Sequence, residues 1–178
     1  MVVERDETRA PTLLCVWIEQ VPITHPDAVR LIAEVQEIYT ARYGSPDESP
    51  VDGSEFEPPE GRFFLGYDDG PGGAPVATGA WRRSTVPALG STRTAEIKRM
   101  FVVPTHQRRG LARQMLGHLE TSAAAEGIEV LVLETGTKQP EAMAMYAAAG
   151  YEQVPGFGHY QGSPLSRCFA RRLVASPA

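Results

Sequence analysis

Cysteine is scarce in this chain: Cys15 and Cys168 are the only two in 178 residues. Each lies in an apolar stretch that reads as a strand, so both are expected to be small buried hydrophobes of a reduced compartment, and a disulfide-stapled scaffold is excluded. Long hydrophobic runs are missing as well. No stretch approaches the roughly 18 uncharged apolar residues of a membrane span, and the opening MVVERDETRAP has no apolar core of the secretory type. The expectation is a cytoplasmic protein with no membrane partner. Positive charge is in deficit, with 17 Lys and Arg against 22 Asp and Glu, a net charge of −5 and a pI near 5.4. Such a balance argues against a nucleic-acid partner and favours a cationic one. His25, His106, His118 and His159 show no ligand spacing with the cysteines, so no metal is expected.

What is present suits one globular domain. Hydrophobic residues make up 42% of a 19.4 kDa chain, enough to build a core. Residues 1–11 read as an N-terminal tail, 12–174 as a single mixed α/β domain and 175–178 as a C-terminal tail. Leu13–Ile18 is a nearly continuous apolar run, the pattern of a covered strand. Pro26 and Asp27 open an amphipathic helix whose stripe is Ala28, Leu31, Ile32, Val35, Ile38 and Tyr39, ending near Gly44. Strands are expected at Gly61–Tyr67, Pro75–Arg83 and Thr94–Val103. A helix follows from Leu111 to Gly127, then a buried strand at Val130–Leu133, a helix at Glu141–Ala149, and last strands at Tyr151–Val154 and Arg167–Leu173.

Between Ser45 and Glu60, four prolines and the acids Asp47, Glu48, Asp52, Glu55, Glu57 and Glu60 occur without a single base. Two readings stand here. One is a solvated, mobile loop; the other is a lid that attracts a cationic substrate.

The stretch Glu96–Ala112 carries the most chemistry. A strand runs through Val102-Val103-Pro104 into Gln107-Arg108-Arg109-Gly110-Leu111-Ala112 and then a helix. Amides at a helix start lack intrahelical partners, Gly110 lets a ligand approach the backbone closely, and Arg108 and Arg109 add charge suited to a pyrophosphate. A capped surface helix is the plainer reading of the same residues. Neither G-x-x-x-x-G-K-S/T nor G-x-G-x-x-G occurs.

This hexapeptide resembles the (Gln/Arg)-x-x-Gly-x-(Gly/Ala) signature of the GNAT superfamily of N-acetyltransferases. Downstream, Pro140–Tyr151 resembles that family's helix with a tyrosine ahead of a Gly-aromatic pair. The resemblance covers roughly Thr94–Val154. It implies a mixed, mostly antiparallel twisted sheet flanked by helices, with a splayed pair of parallel strands forming the acetyl-CoA cleft. It further implies that the amides of Gln107, Arg108, Arg109, Gly110, Leu111 and Ala112 hold the pyrophosphate. Backbone groups of Met100 and Val102 would then meet the thioester and the pantetheine arm.

By the same resemblance Tyr146 is the acid that receives the departing thiolate, and Glu96 is the base that frees the amine, directly or through water. The plainer readings are a packing tyrosine on the stripe Ala142, Met145, Tyr146, Ala149, and a strand carboxylate paired with Lys98 or Arg83. Where the family often has Asn after the preceding strand, this chain reads Glu134-Thr135-Gly136-Thr137. The implied activity is direct acetyl transfer to a primary amine of a small molecule or peptide, in a ternary complex without a covalent acyl-enzyme. A non-catalytic acyl-CoA-binding or interaction domain is the alternative. A homodimer is left open.

Overall fold

A computed structural model describes residues 16–173. Its elements are β1 (Trp17–Gln20), α1 (Pro26–Tyr43), β2 (Gly61–Tyr67), β3 (Pro75–Ser84), β4 (Thr94–Val102), α2 (Leu111–Ala125), β5 (Val130–Gly136), α3 (Pro140–Ala148), β6 (Glu152–Val154) and β7 (Ser166–Arg172). Short 3₁₀ turns cover Gly53–Phe56 and Pro104–His106. Of the first expected strand, Leu13–Cys15 lies outside the described residues, and pairing runs from Trp17 to Gln20.

The strands form one sheet in the order β1-β2-β3-β4-β5-β7-β6. All pairs are antiparallel except β4 with β5. One face packs α2 and α3 through Leu111, Met115, Leu116, Leu119 and Tyr146 onto Trp81, Ile97, Leu131 and Leu133. The other face buries Ala28, Leu31 and Val35 of α1 against Phe63, Leu65 and Phe101. Alternation along β2 to β4 therefore feeds two cores, one on each side of the sheet.

Two features of β4 open the sheet. Its parallel pairing with β5 lasts only from Thr94↔Val130 to Ile97↔Leu133. Beyond that point β4 stays with β3 to Val102, while β5 stays with β7 to Gly136. In addition, the β3–β4 register shifts between Thr78 and Ala80, where Arg99 adopts φ of +56°, a left-handed conformation that side chains rarely take. Thr78 Oγ1 donates to the Arg99 carbonyl at 2.6 Å and holds this bulge in place. The two strands thus part immediately after Ile97 and Leu133, as the resemblance implied.

Candidate active site

The parted strands form the walls of a cleft of about 300 Å³. Ile97 to Met100 line it from β4, Leu133 to Gly136 from β5, Tyr39 and Tyr43 from α1, Tyr146 from α3, and Tyr160 to Ser166 from the β6–β7 connection. Gly136 is needed here for space. A Cβ at this position would stand 2.0 Å from the Tyr43 hydroxyl, so any larger residue would push the Tyr43 side chain from its place over β5.

At the start of α2 the chain is arranged for an anion. Gly110 is the N-cap residue at φ of +84°, and no side chain caps the helix. The cap is thus the Gly110 backbone and not a side chain. The first amide to reach back a full turn is that of Gln114, onto the Gly110 carbonyl at 3.1 Å. Gln107, Arg108, Arg109 and Gly110 are exposed, Ala112 is half-buried, and Leu111 anchors the turn in the core. One part of the expectation changes: the Gln107 amide is directed to the Pro104 carbonyl, so the available run begins at Arg108. The Gln107 side chain instead donates to the Val102 carbonyl at 2.9 Å and ties the turn to the end of β4. Met100 lines the cleft, whereas Val102 is buried at the edge of the core.

Tyr146 is 5% exposed, with its ring packed edge-on to Tyr151 at 5.7 Å and tilted against Phe169 at 6.4 Å. It is both a core residue and a cleft residue, so the packing and chemical readings coexist. Burial pushes its hydroxyl well above the usual tyrosine range, which keeps the proton on it at neutral pH.

Glu96 lies on β4 immediately before Ile97–Met100, the strand residues that line the cleft. It is 8% exposed and is not among the residues lining the cleft. Arg82 donates to its Oε2 from Nε at 3.1 Å and from Nη2 at 2.9 Å, and Lys98 Nζ lies 2.9 Å from Oε1. The paired-carboxylate reading holds with Lys98, and with Arg82 in place of Arg83. Glu96 touches the cleft only through Lys98, which does line it.

Two carboxylates line the cleft, Asp47 and Glu134; the Oε1 of Glu134 accepts from Ser166 Oγ. Burial raises its carboxyl above the ordinary glutamate value, and the charges of Glu96 and Asp47 push the same way against a Ser166 hydrogen bond and Lys98. Sequence reasoning noted Glu134 only as a departure from the family. The available signal was an acid closing the buried run Val130–Leu133, a place where α/β sheets commonly present functional side chains.

The acidic 45–60 segment is largely exposed but is tied to the sheet at Asp47, Glu55 and Phe56. Asp47 Oδ2 accepts from Arg99 Nη1 at 2.9 Å, and its Oδ1 accepts from the Ser49 amide at 3.0 Å and the Tyr160 hydroxyl at 3.1 Å. Burial opposes ionisation of Asp47, yet the Ser49 hydrogen bonds and the Arg99 and Lys98 charges outweigh it and hold the carboxyl below its ordinary value. Farther along, Asp52 and Glu55 close a reciprocal capping box, Glu55 also accepts from Arg82, and Phe56 is 1% exposed in the α1 core. The bases that neutralise this segment come from β3 and β4.

The comparisons agree with this architecture. Residues 31–151 match the profile of the Acetyltransferase (GNAT) family. The IAA acetyltransferase of Azospirillum brasilense is 32% identical over 138 residues, covering 78% of this chain and 85% of that protein. The uncharacterised N-acetyltransferase YsnE of Bacillus subtilis is 31% identical over 123 residues, covering 65% and 82%. Among solved structures, a candidate acyl-CoA N-acyltransferase from Klebsiella pneumoniae superposes with a TM-score of 0.71 at 26% identity, over 89% of this chain and 98% of its own. The matched profile, the identity to acetyltransferases across most of the chain and the shared sheet together establish that this protein belongs to the GNAT acetyltransferase family.

Proposed function

We propose that the protein is an acetyl-CoA-dependent N-acetyltransferase that passes the acetyl group directly to a primary amine. The observation that carries this is the parting of β4 from β5 at Ile97 and Leu133, which leaves strand backbone, an un-ionised tyrosine and a half-buried carboxylate at one cleft. The exposed amides from Arg108 to Ala112, with the Arg108 and Arg109 side chains, suit a pyrophosphate and fit the cosubstrate at the start of α2. Acetyl-CoA would supply the activated thioester carbonyl.

The residues then divide the work. Met100, and Val102 through the backbone edge left to it, orient the acyl arm along β4. An alkyl ammonium with pKa near 10.4 must lose a proton before it can attack, so a base is needed in the cleft. Glu134 takes that role in preference to Glu96, because its carboxyl is raised by burial and lines the cleft itself. Glu96 holds Lys98 in place. Tyr146 delivers a proton to the leaving sulfur, a role that its buried, un-ionised hydroxyl suits.

The test is CoA-dependent thermal stabilisation, followed by CoA release against a panel of amines. At 100 times its dissociation constant the ligand adds about 2.7 kcal/mol of stability. Absence of any shift with CoA or acetyl-CoA in the wild-type protein would sink the reading.

A further inference from the structure

The charges around the cleft do not cancel evenly. Glu96 is balanced by Arg82 and Lys98, Glu55 by Arg82, and Asp47 by Arg99. Three carboxylates thus meet three cations. Glu134 has only a hydroxyl partner, Ser166, and no ion pair among the described residues. Glu134 is half-buried, and a partly desolvated carboxylate without a counter-ion favours its neutral form. The vacancy is for one positive charge.

The surroundings describe the rest of the ligand. The rings of Tyr39 and Tyr160 line the same cleft, and tyrosine faces attract cations. Tyr43 already holds the Lys138 ammonium 5.4 Å from its centroid, an instance of the same attraction. Leu165, one of the few large apolar side chains left exposed at 45%, also lines the cleft. With Val35, Ile97, Met100 and Leu133 it gives the cleft an apolar wall that suits an apolar body. The volume of about 300 Å³ suits a small molecule.

Resting on the acetyltransferase reading above, we infer that the acceptor is a small primary monoamine, entering as a monocation on an aromatic or apolar body, with no carboxylate of its own. A zwitterionic amino acid would bring a second negative group beside Asp47 and Glu134. The two cations that line the cleft, Lys98 and Arg99, are already paired with Glu96 and Asp47, so neither is left over to meet it. A polyamine would bring cations for which no further carboxylate is available.

Tyramine, tyrosine and spermidine separate these cases, because the first two differ by one carboxylate. Calorimetry on the CoA-saturated wild-type protein should show tyramine binding at least tenfold tighter than tyrosine or spermidine, and acetyl transfer should rank the same way. Glu134→Gln keeps the shape and a partner for Ser166 but removes the charge. It should weaken tyramine at least tenfold while the CoA-induced melting shift stays at the wild-type value.

Tyrosine or spermidine binding as tightly as tyramine, no binding of tyramine at all, or tyramine affinity unchanged in Glu134→Gln would each overturn the inference. If that variant fails to fold, the wild-type comparison of tyramine with tyrosine decides alone. A protein that shows no CoA shift refutes the acetyltransferase reading instead, so the two failures are distinguishable.

Discussion

The turn before α2 and the opposite end of the cleft differ in how they are made. The turn comes from consecutive residues: β4 ends, Gly110 takes a left-handed conformation, and the amides that follow point outward without a side-chain cap. The opposite end gathers Tyr39 and Tyr43 from α1, Asp47 from the acidic segment, Arg99 from the β4 bulge, Glu134 from β5 and Tyr160 from the β6–β7 connection. A site built from neighbours in sequence is a motif. One built from distant segments is a product of packing, and its charges take their meaning from partners far away in the chain.

Tyr146 lines the cleft, and its replacement gives the largest expected effect. Tyr146→Phe keeps the ring packing on Tyr151 and Phe169 and should alter stability by no more than about 0.5–1.5 kcal/mol. Loss of the proton donor should slow single-turnover acetylation roughly 10²–10⁴-fold, with the CoA-induced melting shift intact. A rate within about twofold of wild type would return Tyr146 to packing alone.

The contrast between motif and assembly predicts that the acidic segment has a structural role that its composition hides. Phe56→Ala should destabilise the protein by about 3–5 kcal/mol in denaturant unfolding, whereas a solvated loop would lose almost nothing. Asp47→Asn leaves the guanidinium of Arg99, with a side chain only 9% exposed, without its counter-charge, at about 3 kcal/mol. Because the folded-state Asp47 carboxyl is held below its ordinary value, its contribution is present above that value and disappears as pH falls through the lowered one. The variant should therefore show a shallower loss of stability on acidification below about pH 4.

At the other end, Gly110→Asp adds a negative charge and a side chain at φ of +84°. It should abolish most of the roughly 2.7 kcal/mol of stabilisation expected at saturating CoA, beyond any loss of intrinsic stability. Gly110→Ala, which shares the strain without the charge, separates the two effects. The smallest effect falls on the exposed acids Glu57 and Glu60, where Gln should change stability by less than about 0.5 kcal/mol. A larger loss there would mean that the whole acidic run, and not only its buried members, is engaged.

Much of this protein was legible in its sequence for a local reason. Apolar runs and a 3.6-residue stripe report which face an element buries, and Pro26, Gly44 and Pro140 mark helix ends, so most elements fell within a few residues of their places. The places of the turn at Arg108–Ala112 and of the α3 tyrosine were likewise readable, since neighbouring residues in the chain set both. Tertiary structure alone decided the rest. Whether Glu96 or Glu134 faces the cleft depends on where β4 leaves β5, which follows from the bulge at Arg99 and from β7 pairing with β5. Which of the six acids are held against the sheet depends on Arg82 reaching Glu55 and Arg99 reaching Asp47. Charge is counted along the chain, but its energy is set by burial and by the distance to a counter-charge, and folding alone determines both.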